Sequence, residues 1–246
     1  MRLLVLLTAL AMPVIAWLSQ TGAFGPDQGT VSARYPTLLV AAGYAFSVWG
    51  LIFLLDVVYG VWQTTGMRRQ DPLLRRIAPA AAAGFALTAL WMPLFSSGLF
   101  WACLGVIFVA LGALAWCALQ VSTTGGRRHW PAWLALSLHA GWLSLAAFLN
   151  LAQTIVAEGL LSSSRMLGWS LVLWGIAAAL LLTLNARMRG NAAYTAVAVW
   201  GLFAVWIQQT DWPLVGATTS AWVALAIACV LVTQTAVLRL RRHAGH

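Results

Sequence analysis

Hydrophobic residues run along this chain in long stretches separated by short clusters of Arg, Gly, Pro, Asn and Ser. Eight stretches stand out, at residues 3–19, 38–63, 77–96, 99–121, 130–156, 168–186, 192–208 and 218–238. Each is close to the roughly 20 apolar residues that carry an α-helix across about 30 Å of hydrocarbon. Lipid offers backbone groups no hydrogen-bond partners, so runs of this kind predict helices that satisfy their own. The expected fold class is an all-α integral membrane protein with eight transmembrane helices. An even count puts both ends of the chain on one side.

Composition agrees with the pattern. Of 246 residues, 62% are hydrophobic and 8% charged, and the mean hydropathy is +0.86. These values exclude a soluble protein and leave no room for a large extramembrane domain. The net charge of +9 would ordinarily raise nucleic acid as a partner. The arginines instead sit singly or in pairs at the ends of apolar runs, where they set membrane orientation. One side receives Arg2, Arg68, Arg69, Arg75, Arg76, Arg127, Arg128, Arg187, Arg189, Arg239, Arg241 and Arg242. The other receives only Arg34 and Arg165, with Asp27, Glu158 and Asp211. Both termini are therefore expected in the cytoplasm, with the chain in a bacterial inner membrane.

The first run also has the layout of a secretory signal: a basic start, an apolar stretch and small residues at Thr21-Gly22-Ala23. The longest connection, residues 20–37, is rich in Gly, Ser, Thr and Pro and long enough to fold back over a helix bundle as a lid. Cys103, Cys117 and Cys229 lie inside apolar runs without metal-ligand spacing and read as small buried hydrophobes.

Fifteen tryptophans are several times ordinary usage. Trp17, Trp62, Trp130, Trp133, Trp169 and Trp212 fall at span ends, as an interfacial belt requires. Trp49, Trp142, Trp174 and Trp222 lie inside spans, where an indole N–H needs a partner in the protein. These interior indoles either line a pocket or pack helix against helix.

Several motifs resemble one family. Tyr44-Ala45-Phe46-Ser47-Val48-Trp49-Gly50-Leu51-Ile52-Phe53 resembles the second helix of the tryptophan-rich sensory protein family (TspO/MBR), relatives of the mitochondrial translocator protein. Leu90-Trp91-Met92-Pro93-Leu94-Phe95 is similar to that family's third-helix Trp-x-Pro-x-Phe element, and Trp101 lies where its fourth helix often opens. Trp142-Leu143-Ser144-Leu145-Ala146-Ala147-Phe148-Leu149-Asn150 resembles the fifth-helix motif. The chain departs from the family at Ala41-Ala42-Gly43, which stand for a proline-rich approach to helix two, and at Thr88, Ser96 and Leu138-His139. The resemblance implies two units: a five-helix TspO-like bundle over residues 1–156 and a three-helix extension over residues 157–246. It also implies a ligand site of Tyr44, Phe46, Trp49, Trp91, Phe95, Trp101, His139, Trp142, Ala146 and Leu149 beneath loop 20–37.

Polar residues within spans carry the remaining chemistry. Asp56 is the one acid well inside a span, so it must be protonated, paired or facing water. It reads either as a proton or ligand-pairing group, or as a neutral acid bonded to a neighbouring helix. His139, three residues before Trp142 and on roughly the same face, reads as a tetrapyrrole-metal ligand, a ligand hydrogen-bonder or an interhelical contact. Asn150, Gln153 and Thr154 could line the polar end of a cavity or bridge helices. Ala80, Gly84 and Thr88 make a small-residue stripe that would suit a homodimer. Arg68, Arg69, Arg75 and Arg76 could hold anionic lipid.

No phosphate loop, metal-ligand spacing or Ser/His/Asp set is present, so no enzyme activity, required cofactor or metal is expected. The expected function is a membrane receptor or carrier for a flat hydrophobic ligand, with porphyrin, haem or another tetrapyrrole implied by the resemblance. Arginines near one surface could meet the propionates of such a ligand. The alternatives are a proton-coupled secondary transporter using Asp56, and an assembly factor whose last three helices dock a partner protein.

Overall fold

The structure, a computed structural model, describes residues 1–244; of residues 127 and 242–244 only the backbone is described. Arg127 and Arg242, two of the arginines behind the sidedness expectation, therefore lie outside the described side chains. The described chain forms α1 (Arg2–Gln20), α2 (Gln28–Arg34), α3 (Val48–Thr64), α4 (Pro72–Ser96), α5 (Phe100–Thr124), α6 (Trp130–Ala157), α7 (Met166–Arg187), α8 (Ala192–Thr210) and α9 (Ala217–Ala244). Each of the eight apolar runs contains one long helix. Seven of the eight are long and apolar enough to cross a membrane, and α8 is outside that set. The chain is a multi-pass integral membrane protein. Helix α8 packs against α6 and α9, so its polar residues meet protein rather than lipid.

Helix starts follow local chemistry. Asp71 accepts from the amides of Leu73 and Leu74 ahead of Pro72, and Asn191 does the same for Ala193 and Tyr194. Short α2, not evident as a hydrophobic run, begins where the Asp27 side chain accepts from Thr30. The largest departure from the hydrophobic pattern is at residues 38–47. This stretch is apolar, yet it turns at Leu38–Leu39, runs without regular structure to Ala42 and then forms a 3-10 turn over Gly43–Ser47. Helix is dispensable there because other helices take up its backbone groups. Gln209 Nε2 donates to the Thr37 and Val40 carbonyls, Ser220 to that of Leu38, and the Ala42 amide donates to Ala204.

Helix α6 is the axis of the molecule, packed by α3, α5, α7 and α8. Helix α1 fills the groove between α3 and α4, burying Val5, Ala9 and Met12. A signal-like composition here belongs to a helix of the bundle. The α6–α8 contact is backbone-close: a Cβ at Gly141 would stand 2.6 Å from the Tyr194 carbonyl. The small-residue stripe on α4 serves the same purpose within the chain, since Gly84 abuts the Leu114 side chain of α5. That face is occupied and does not support the dimer expectation.

The last three helices join the others through polar side chains as well as packing. Asn191 Nδ2 reaches Ser122 on α5 and Ser137 on α6. Asn185 on α7 reaches Gln234 and Thr235 on α9, and Thr195 on α8 also bonds Thr235. In an apolar surround such bonds fix which helices meet.

These contacts gather the arginine-bearing loops at one end. Arg2 donates to the carbonyls of Gln63, Arg68 and Asp71, and Arg128 pairs with Asp71 at 3.1 Å. Gly190, after α7, lies against Leu238 and Arg239. Both ends of the described chain thus share this arginine-rich end. Arg68 and Arg76 also lie over the rings of Trp62 and Trp116. Two expectations for interior residues are corrected: Trp222 is 59% exposed and Cys229 is exposed, so both face outward from α9 instead of into a core.

Candidate functional site

At the end opposite the arginines, α3, α4, α5 and α6 enclose a narrow cavity with about 30 Å³ of free space. Its walls are Phe46, Trp49, Trp91, Phe95, Trp142, Ile107, Ala146 and Leu149, closed over by Ser32, Val40 and Ala41, with Asn150 and Gln153 at its polar side. The loop expected to act as a lid does so: Gln28 at the start of α2 bonds Ser19, which bonds Ser96 at the end of α4.

Helical spacing explains the walls. Trp142, Ala146, Leu149, Asn150 and Gln153 recur at three- and four-residue intervals, one face of α6. Trp91 and Phe95 are one turn apart on α4 and stack at 4.7 Å between ring centres. Trp49 meets Trp142 edge-on at 5.8 Å and Trp91 at 6.5 Å, which forms an aromatic corner.

Two residues of the lining, Asn150 and Trp142, carry donors that lack partners. Trp91 Nε1 donates to Asn150 Oδ1 at 3.1 Å, which fixes the amide so that its NH₂ is left over. Asn150 Nδ2 and Trp142 Nε1 are buried without partners. An unpaired buried donor costs on the order of 1–3 kcal/mol, so both are predisposed to meet an acceptor on a bound molecule.

A second, open groove of about 420 Å³ runs between α1 and α3, past Pro13, Trp17, Gly50 and Leu54. Phe46 and Trp49 line both spaces. They form a wall one side chain thick between the cavity and the flank of the bundle.

Of the ten ligand-site residues expected from sequence, seven line the cavity: Phe46, Trp49, Trp91, Phe95, Trp142, Ala146 and Leu149. Tyr44 does not; it packs edge-on against Trp200 and is 41% exposed. Trp101 does not either, being 56% exposed because its position on α5 points away from the bundle. His139 lies behind Trp49, with ring centres 5.7 Å apart, and its Nδ1 is 2.7 Å from Asp56 Oδ2. The possible polar-site residues also separate: Asn150 lines the cavity and Asp56 lies beneath it. Of the arginines, only Arg34 and Arg165 belong to loops at the cavity end, so the arginine-rich end cannot serve the propionates of a ligand there. Ser32, Val40, Ala41, Ile107 and Gln153 complete the lining. Gln153 was marked by its helical register, whereas the other four carried no signal of their own.

A family model described as TSPO-like protein matches residues 2–237. The chain belongs to the TSPO-like family. No curated protein and no solved structure matches the chain. The family match runs through α7 and α8 and into α9, so it takes in the last three helices along with the aromatic cavity. Where the TspO/MBR resemblance implies a proline-rich approach to the second helix, this TSPO-like protein has Ala41-Ala42-Gly43 held from outside by Ala204 and by Trp200, whose indole donates to the Ala45 carbonyl. Family membership supports membrane-associated ligand binding or transport.

Proposed function

We propose that this protein is a non-enzymatic membrane receptor or carrier that binds a flat, hydrophobic, acceptor-bearing molecule, a porphyrin or another tetrapyrrole, in the cavity of Trp49, Trp91 and Trp142. The observation that carries the reading is the pairing of an aromatic corner with the two unpaired donors of Trp142 and Asn150. Indole faces suit a planar π-system, and the donors suit a carboxylate or carbonyl on its rim. The lining contributes aromatic faces and amides, with no acid or base beside the Ser32 hydroxyl to activate it, which favours binding over turnover.

With about 30 Å³ of free space the cavity as it stands holds a water or two rather than a ligand. A tetrapyrrole is accommodated when Phe46 and Trp49 swing aside and join the cavity to the groove between α1 and α3. The ligand then arrives sideways from the bilayer. The last three helices have an internal role in this reading, because α8 and α9 already grip the cavity wall at residues 37–45. That engagement argues against their being a dock for a partner protein.

Titration of the purified protein in lipid nanodiscs with protoporphyrin should quench tryptophan emission saturably. Asn150→Leu and Trp142→Phe should each weaken binding, the first by about tenfold for one lost hydrogen bond to a charged group. Binding that is unaffected by both changes would remove the cavity from consideration.

A further inference from the structure

Beneath the aromatic cavity a second group of buried polar side chains lies unused by ligand binding. Asp56 and His139 are both 0% exposed and bonded at 2.7 Å. The bonding pattern fixes much of their proton inventory. The Thr88 hydroxyl donates its one hydrogen to the Gly84 carbonyl at 2.9 Å, so at its 3.1 Å contact with His139 it accepts from Nε2–H. One further proton then occupies the Oδ2···Nδ1 bond. It belongs either to a neutral acid beside a neutral imidazole or to a carboxylate beside an imidazolium.

The pair does not end there. Asp56 Oδ1, the Tyr59 hydroxyl and both amide atoms of Gln63 are buried without partners. Residues 56, 59 and 63 share one face of α3, and all three side chains are 0% exposed. Four unsatisfied polar atoms along one stripe are far from ordinary for a protein interior, where such groups are paired with protein or with ordered water. The stripe spans about 10 Å at the helical rise of 1.5 Å per residue. It ends where Arg2 donates to the Gln63 carbonyl, beside a groove of about 590 Å³ lined by Trp62, Arg68, Asp71 and His129. The other end is stoppered by aromatic rings: Phe85 stacks on His139 at 5.7 Å and Trp49 stands edge-on to it.

We infer that Asp56 and His139 form a proton-binding site reached from the arginine-rich face alone, by a file of waters that enters transiently along Tyr59 and Gln63. A proton entering from that face is relayed through the file to Asp56 Oδ1, and the proton already in the Oδ2···Nδ1 bond then rests on His139. The balance is one proton taken up and one positive charge gained. The groups facing the site are Thr88 and Phe85 from α4, His139 from α6, Arg2 from α1 and Cys117 from α5, the last two within electrostatic reach of Tyr59. Arg2 is the one permanent charge among them. It disfavours entry of other cations while leaving a hydrogen-bonded relay intact. The inference is independent of which molecule the aromatic cavity takes.

The test follows exchange of the His139 ring protons for deuterium by ¹⁵N magnetic resonance of the full chain in phosphatidylcholine vesicles, with the resonance assigned by His139→Gln. Gln63→Leu and Tyr59→Phe, each close in volume to the parent residue, should slow exchange by about tenfold or more by interrupting the file. Gln20→Leu, at the far end of α1, should leave the rate unchanged. Unaltered exchange in both Gln63→Leu and Tyr59→Phe would overturn the proposal, as would slowing by Gln20→Leu alone. If one file variant fails to fold, the other decides the question.

Discussion

Gln209 of α8 is completely buried, and its Nε2 lies 3.0 Å from the carbonyl oxygen of Val40, 169 residues earlier in the chain. Val40 lines the aromatic cavity, so a helix remote in sequence holds part of the wall of the candidate site. The same nitrogen reaches the Thr37 carbonyl, and Ser220 and Ala204 hold Leu38 and Ala42. Helices α8 and α9 thereby do for an apolar, proline-free approach segment what local stiffness would otherwise have to do.

Replacing Gln209 should therefore affect binding without touching any ligand. Gln209→Leu strands two buried carbonyls, at a cost of about 1–3 kcal/mol in stability. It should also loosen Val40 and Ala41 and weaken protoporphyrin binding. Thermal unfolding and a binding titration of one preparation check both effects. Lower stability with unchanged affinity would separate the segment from the site.

The close crossing of α6 and α8 depends on Gly141. Gly141→Ala puts a methyl against the Tyr194 carbonyl and the Val197 side chain, which should cost about 1–3 kcal/mol as overpacking. Ala at Gly50, where nothing lies within 4 Å, should cost little by comparison. Thermal unfolding of the two variants side by side measures the difference.

Asp71 predicts a pH dependence at the arginine-rich end. Burial works to raise its pKa, but the Leu74 amide, His129 and Arg128 outweigh it, and the carboxyl is held below its usual value. A depressed folded pKa contributes stability above the unfolded value of about 3.9 and loses it as pH falls through the folded value. Asp71→Asn keeps a capping oxygen and removes the charge. It should lower the unfolding temperature at neutral pH, and the gap to the parent should close below about pH 4. A gap independent of pH would show that the charge is not what matters.

Sidedness is tested by labelling. Met67, 92% exposed, lies in the α3–α4 connection, and Thr21, also exposed, lies just past α1. Met67→Cys and Thr21→Cys should react with an impermeant maleimide from opposite faces of sealed vesicles. The Met67 face should be the one that carries the N-terminus. Reaction of both from one face would break the helix order.

Much of this arrangement could be read from sequence because lipid makes helix formation nearly obligatory for a long apolar run. Each of the eight runs contains a long helix, and seven residues with family-like spacing converge on the cavity. Pattern failed where apolar sequence has two ways to satisfy its backbone. Residues 38–47 are hydrophobic enough for helix, but Gln209, Ser220 and Ala204 supply their hydrogen bonds from elsewhere, and nothing local encodes that. Hydrophobicity was equally silent on direction. Trp101 and Trp222 have the composition of pocket residues and point outward, because the helical face that turns inward is set by neighbours not yet placed. Asp56 was recognisable as needing a partner, but only the fold identifies that partner as His139.

Binding of a planar acceptor-bearing ligand by the corner of Trp49, Trp91 and Trp142, with the unpaired donors of Trp142 and Asn150, rests on one quantity above all. The most direct measurement is the dissociation constant for protoporphyrin in nanodiscs, compared among the parent, Asn150→Leu and Trp49→Leu. The parent should bind saturably, and each variant whose fold is intact should bind about tenfold or more weakly. Saturable binding of equal affinity in all three proteins, or no saturable binding by the parent, would contradict it.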